Sequence, residues 1–246
     1  MYPRIDLHMH TRHSDGRNTI EEMIRAAEAN DLEVIAITDH IFCPIKRPTW
    51  LDTAIREVNK AKENASLKVL LGVEITRPSI RDLTKKFPLP AGIEHIVCEH
   101  PIPNGIKDKK VFLREVIEGI RYIASNDQVN VLAHPLNLGR SGVIGNFKDI
   151  SKDVLEEVAR ILADSHVVME VMSQMYWWYP YMDISTFTEA YTEFIRICKH
   201  HGVIFTIGSD AHSVCGVGNT YWSIKVLSRA GVTPDEIWIP DEGLKL

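Results

Sequence analysis

Short runs of β-branched and other apolar residues recur along the chain, separated by stretches in which apolar positions return every three or four residues. The runs cover Arg4 to Leu7, Glu33 to Thr38, Lys68 to Val73, Glu94 to Cys98, Val129 to Ala133, His166 to Val171 and Val203 to Ile207. Several are almost wholly apolar, as strands buried on both faces are, so they predict seven strands. The helical patterns lie at Ile20 to Ala29, Leu51 to Asn64, Val111 to Ser125, Val154 to Asp164, Thr186 to His201 and Asn219 to Ala230. Thr19 with Glu22, and Thr186 with Glu189, have the spacing of a capping box that satisfies free N–H groups at a helix start. Gly202 and Gly231 suit helix C-terminal positions that need a left-handed residue.

Strand alternating with helix predicts parallel strands joined by helical crossovers, an α/β fold that is either a doubly wound sheet or a closed barrel, with the barrel favoured. No linker, low-complexity tract or short repeat divides the chain, so residues 1–246 are expected to form a single domain. Thr76 to Gly92 and Leu136 to Ile150 read as long loops.

A length of 246 residues is ordinary for one such barrel. A formal net charge of -5 argues against the broad basic surface that long nucleic acids require. Cys43, Cys98, Cys198 and Cys215 show no CxxC pairing, which suits reduced thiols in a cytoplasmic protein. The first residues lack an apolar leader, and no stretch approaches the roughly 18 to 20 apolar residues that cross a bilayer. Neither export nor a membrane is expected.

In parallel α/β barrels the reactive groups gather where strands end, and here those ends are rich in metal-binding side chains. The first strand runs into His8-Met9-His10, the second into Asp39-His40 and the third into Glu74. The fourth leads to His100, the fifth ends at His134, and the seventh delivers Asp210 and His212. Residues two apart on a strand share a face, so His8 projects with His10 and Asp210 with His212. A lone histidine such as His100 or His134 is more often a hydrogen-bonded residue than a ligand. Six strand ends of seven carrying such groups is not readily accidental. Imidazoles with carboxylates and no thiolate suit a catalytic Zn²⁺, Mn²⁺ or Fe²⁺ centre.

The segments Asp6-Leu7-His8-Met9-His10-Thr11 with Ser14-Asp15-Gly16, Ile37-Thr38-Asp39-His40, Gly72-Val73-Glu74, Ala133-His134-Pro135 and Gly208-Ser209-Asp210-Ala211-His212 resemble, in this order, the motifs of the PHP (polymerase and histidinol phosphatase) superfamily. The resemblance implies a distorted (β/α)₇ TIM-like barrel with three divalent metals, zinc first and manganese or iron(II) as alternatives. It implies one metal on His8, His10, Glu74 and Asp210, a second sharing Glu74 and adding His100 and His134, and a third on Asp15, His40 and His212. Two positions stay open. His95 competes with His100, which is favoured because His95 would lie inside its strand, and His13 competes with Asp15, which is favoured because Ser14-Asp15-Gly16 matches the commoner form.

Such a centre acidifies a metal-bound water for attack on a phosphoryl group and neutralises charge on the phosphate oxygens. Asp39 could orient His40 or protonate the leaving group, and Asp210 could combine ligation with proton transfer. Arg17, Arg77 and Arg140 could grip phosphate. Tyr176-Trp177-Trp178-Tyr179 could wall the pocket, pack internally or meet another copy in a homo-oligomer. The expected substrate is a small phosphorylated metabolite or nucleotide, histidinol phosphate among the candidates. The alternatives are a phosphodiesterase or exonuclease on short oligonucleotides, and a C–N hydrolase of amidohydrolase type.

Overall fold

The computed structural model describes residues 1–42 and 46–240, so Cys43 lies outside the described residues. Parallel strands form a nearly closed barrel wrapped by helices, as the alternation of patterns predicts. In chain order the elements are β1 (Ile5–Asp6), α1 (Ile20–Ala29), β2 (Val34–Ile37), β3 (His40–Ile41), α2 (Leu51–Lys62), β4 (Lys68–Ile75), α3 (Ile80–Leu83) and β5 (His95–Cys98). There follow α4 (Lys109–Ala124), β6 (Val131–Leu132), α5 (Lys152–Ala163), β7 (Val168–Met172), α6 (Ile184–His201), β8 (Phe205–Gly208) and α7 (Tyr221–Arg229).

The sheet order is β1-β2-β4-β5-β6-β7-β8, with β3 also on β4. β3 continues the line of β2, because Ile37 pairs with Leu71 and His40 with Glu74 in one unbroken register. The barrel therefore has seven strand positions, one of them interrupted at Thr38 and Asp39. Closure comes from β1 meeting β8: Leu7 N–H donates to Ile207 O, Asp210 N–H to His8 O, and His10 N–H to Ala211 O.

Each helix presents an apolar stripe inward. In α1 the stripe is Ile20, Met23, Ile24 and Ala27, the spacing of one helical face, and the predicted box of Thr19 and Glu22 caps its start. The longest helix, α6, begins two residues earlier than the predicted Thr186 because Asp183 accepts the Thr186 N–H and outcompetes a Thr186 cap. It ends at left-handed Gly202 (φ 85°). The segment read as one loop from Thr76 to Gly92 contains α3, a turn of helix too short to show a period, capped by Ser79 and Asp82. Among the described residues no helix is long and apolar enough to cross a membrane. Cys98, Cys198 and Cys215 are free.

Asp6 secures the closure. Its buried carboxylate accepts the Ser209 N–H at 2.8 Å and the Gly218 N–H at 2.9 Å, tying β1 to the turn that carries Asp210 and His212. Asp6→Ala orphans the buried Ser209 N–H, at a cost of about 1–3 kcal/mol, and removes the partner of the half-buried Gly218 N–H. Denaturant unfolding should show a loss of about 2–4 kcal/mol, and a loss under about 0.5 kcal/mol would mean that these bonds do not hold the barrel shut.

Candidate metal centre

β4 carries Glu74 near its C-terminal end into the middle of four imidazoles. Oε2 lies 3.5 Å from His8 Nε2, 3.6 Å from His10 Nε2 and 2.6 Å from His40 Nδ1, while Oε1 lies 3.3 Å from His134 Nε2. Asp210 completes one side, with Oδ1 3.0 Å from His10 Nε2 and 3.6 Å from His8 Nε2. His8 Nδ1 is 2.8 Å from Glu170 Oε1. A carboxylate can only accept, so Nδ1 carries a proton, and Nε2 is the nitrogen turned towards Glu74 and Asp210. That Nε2 is buried with no hydrogen-bond partner. An orphaned imidazole nitrogen aimed at two carboxylates is the arrangement a divalent cation satisfies.

A further group lies towards solvent. Asp15 Oδ1 is 3.3 Å from His40 Nε2 and 3.2 Å from His212 Nε2. His212 Nδ1 donates to the Asp210 carbonyl, leaving Nε2 free. Three sets could each hold an ion, with ligand atoms all within 4.8 Å of one another: His8, His10 and Asp210; His8, Glu74 and His134; and His10, Asp15, His40 and His212.

The backbone is bent to make this geometry. His134 (φ 25°), Leu136 (φ 63°), Arg77 (φ 48°) and Asp210 (φ 57°) adopt left-handed conformations just past strand ends, a cost tolerated where the surroundings over-determine it. Glu170 Oε2 accepts the His134 N–H at 2.8 Å, so one carboxylate fixes both His8 and His134. Gly208 makes room for it, since a Cβ there would lie 2.1 Å from Glu170 Oε1 and 2.6 Å from His8 Cβ.

Several expected residues lie elsewhere in the site or outside it. His100 does not join the cluster: its Nδ1 donates to Pro101 O and its Nε2 accepts the Leu136 N–H, both at 3.1 Å. His95 points Nε2 at Leu7 O inside the barrel, and His13 pairs with Glu57 at 2.8 Å. Asp39 neither touches His40 nor faces the cavity. Its Oδ1 accepts from Thr11 N–H and Ser14 Oγ and its Oδ2 from Thr11 Oγ1, so it anchors the loop bearing Asp15. Arg17 is exposed and does not line the cavity; its backbone N–H donates to His212 O. Glu170, Glu99, Thr76 and Asn137 went unread in the sequence, although Glu170 is the lone charge in the apolar run Val167 to Met172 and lies on β7, the one barrel strand to which no candidate was assigned.

The imidazoles and acids open onto a cavity of about 660 Å³. Its outer wall includes Phe42, Ile102, Arg77, Arg140, Trp177 and Trp178. Arg140 lies over the Trp177 ring, 3.4 Å from its centroid, and donates from Nε and Nη2 to Trp177 O. The aromatic run divides its work: Trp177 and Trp178 face the cavity, Tyr179 is buried against Phe147 and Phe187, and Tyr176 packs on Trp222.

Charge balance without ions falls on the histidines. Burial alone would lower the pKa of His8, but Glu170, Glu74 and Asp210 outweigh it and raise it well above the ordinary value. His134, likewise opposed by burial, is pushed up to about 9 by Glu74 and Glu99. Burial would raise Glu74 and Asp210, and the surrounding imidazoles hold both below the usual carboxylate range.

A model of the PHP domain matches residues 6–174. An uncharacterized protein of Methanocaldococcus jannaschii is 26% identical over 238 residues, covering 95% of this chain and 93% of that one. A protein of Thermoanaerobacter sp. (strain X514) named a probable phosphatase is 24% identical, covering 97% of this chain and 91% of its own length. The crystal structure of histidinol phosphate phosphatase from Lactococcus lactis subsp. lactis, complexed with zinc, L-histidinol and phosphate, shares the fold with a TM-score of 0.71 at 18% identity, covering 95% of each chain.

Protonated His134 and a metal ion exclude each other, so metal binding should release protons. A raised imidazole pKa contributes stability that is complete below about 6.5 and is lost as pH rises through about 9. Chelated protein should therefore lose thermal stability between pH 6.5 and 9, while the stabilisation given by added Zn²⁺ grows over the same interval. A zinc-induced shift in Tm that is constant with pH would contradict this. Glu170→Ala should weaken Zn²⁺ binding by about 10- to 100-fold, as loss of a residue that orients ligands does. Calorimetric titration checks it, and unchanged affinity would deny Glu170 that role.

Proposed function

The chain belongs to the PHP domain family, and we propose that it hydrolyses the phosphate monoester of a small metabolite at a site holding three divalent ions. It is a metal-dependent phosphoric ester hydrolase. The observation that carries the finer reading is the buried, unpartnered Nε2 of His8 facing Glu74 and Asp210 at the floor of the cavity. The donor sets fit such ions: His8, His10 and Asp210 would hold one, Glu74 and His134 a second, and Asp15, His40 and His212 a third. Glu74 suits a shared position because its two oxygens face different imidazoles.

When bound, divalent ions supply Lewis-acid neutralisation of phosphate charge and acidify a water. The protein's own groups prepare that chemistry. Glu170 holds a proton on His8 Nδ1, and the Asp210 carbonyl does the same for His212, so in each ring Nε2 is the nitrogen left to meet an ion. Asp39 holds Thr11 and Ser14, which keeps the Asp15 loop closed over the outer set. Trp177 and Trp178 restrict water on the open side, and Arg140, braced by Trp177, presents its remaining N–H groups to an anionic substrate.

A cavity of about 660 Å³ with an acidic floor favours a small ester over a polymer. The bound L-histidinol and phosphate of the Lactococcus lactis protein support an amino-alcohol phosphate as the first substrate to try, and its zinc supports zinc as the first metal.

The test measures phosphate release from amino-alcohol and sugar monophosphates, and cleavage of a dinucleotide, before and after chelation. Monoester hydrolysis lost on chelation and restored by Zn²⁺ or Mn²⁺ is expected. Hydrolysis that survives metal removal would sink the reading, and diester cleavage without monoester turnover would replace it with a phosphodiesterase. Arg140→Ala should raise KM about tenfold, or about 1.4 kcal/mol, with kcat nearly unchanged. An unchanged KM would remove Arg140 from substrate binding.

A further inference from the structure

Glu74 Oε1 and His134 Nε2 lie 3.3 Å apart at the inner end of the cavity; with His8 given to the ion it shares with His10 and Asp210, they are a pair of donors too few for a stable ion site. Two successive residues after β5 compete to complete it, Glu99 and His100. His100 is unavailable. Its side chain is buried and outside the cavity lining, and both ring nitrogens are engaged by backbone groups, Pro101 O on one side and Leu136 N–H on the other. Turning it towards Glu74 would break both bonds and orphan the N–H of Leu136, itself held at φ 63°.

Glu99 faces the other way. It lines the cavity, and its Oε1 is 3.7 Å from His134 Nε2. Its Oε2 accepts the Arg77 N–H at 2.8 Å, which aims the carboxylate at the cavity and leaves Oε1 without a hydrogen bond of its own. β5 ends at Cys98, and the two residues that follow it turn to opposite sides, Glu99 to the cavity and His100 away from it.

We infer that Glu99, not His100, completes the ion site formed by Glu74 and His134, and that His100 is a positioning residue for the loop that carries His134. The inference rests on the metal-dependent reading above. It gives the site two carboxylates and one imidazole, an oxygen-rich set that is harder than a His₂ set and better suited to Mn²⁺. His100 acts at one remove: by capping Leu136 it fixes the turn from His134 to Leu136, which Tyr179 holds from the opposite side through Leu136 O.

Two variants separate the roles. Glu99→Gln keeps an acceptor for Arg77 and removes a negative charge from beside Glu74. His100→Gln keeps one acceptor and one donor but not the ring geometry. Zn²⁺ and Mn²⁺ per chain are counted by elemental analysis after dialysis at fixed free metal, and Tm is recorded for chelated and loaded protein.

E99Q is expected to lose one metal equivalent, or to bind it more than about 100-fold more weakly, beyond the roughly 10- to 100-fold that a supporting residue costs. The metal count, not the ion-free Tm, is the readout for this variant, because the change removes a carboxylate that faces His134 as well as one that crowds Glu74. H100Q is expected to keep the full metal count and the metal-induced rise in Tm, but to melt lower than wild type when chelated. A full metal complement in E99Q with the loss of one equivalent in H100Q overturns the assignment while leaving the metal-dependent reading standing. Wild-type protein that takes up no metal overturns both.

Discussion

Glu74 is almost wholly buried, and a carboxylate so placed is tolerable only when positive charge faces it. The barrel supplies that charge from every side. β1 brings His8 and His10, the β2–β3 line brings His40, and the bend after β6 brings His134, each within about 3.6 Å of a Glu74 oxygen. Protons on the imidazoles and divalent ions between them are alternative ways to meet the same demand, so the ionisation of the histidines and the binding of metal are one equilibrium.

The demand explains features that look local. β4 is the longest strand, and it carries Glu74 near its end, level with His40 of β3 and Val97 of β5. Glycine stands where strands must approach side chains of the centre: a Cβ at Gly208 would strike Glu170 and His8, and one at Gly72 would strike the His95 carbonyl at 2.4 Å. Buried carboxylates that bind no ion are turned to holding the scaffold, Asp6 at the closure, Asp39 at the first loop and Glu170 between His8 and His134. Arranged in this way, the acids divide into those that would meet an ion and those that fix the groups around it.

The strand pattern was legible because parallel strands buried on both faces leave long apolar runs, and it yielded all seven barrel positions. What the pattern missed were short elements and exact side-chain direction. α3 is a single turn, too short for a helical period, and β3 was missed because it is two residues long and lies past the end of the second run, beyond the break at Thr38 and Asp39. The convergence of His8, His10, Glu74, His134, Asp210 and His212 was readable from their place at strand ends. Which of Glu99 and His100 faces inwards was not, because it depends on where the extended chain stops alternating. Glu170 went unread for the opposite reason: one charge inside an apolar strand carries no spacing signal, and only the fold shows that it lies beside His8.

The most direct test of this account is a crystal structure of protein loaded with zinc, with anomalous scattering recorded on both sides of the zinc absorption edge. The account predicts anomalous peaks between His8, His10 and Asp210, beside Glu74 and His134, and between Asp15, His40 and His212. Loaded crystals with no anomalous peak among these side chains, or with zinc bound only elsewhere on the surface, would contradict it.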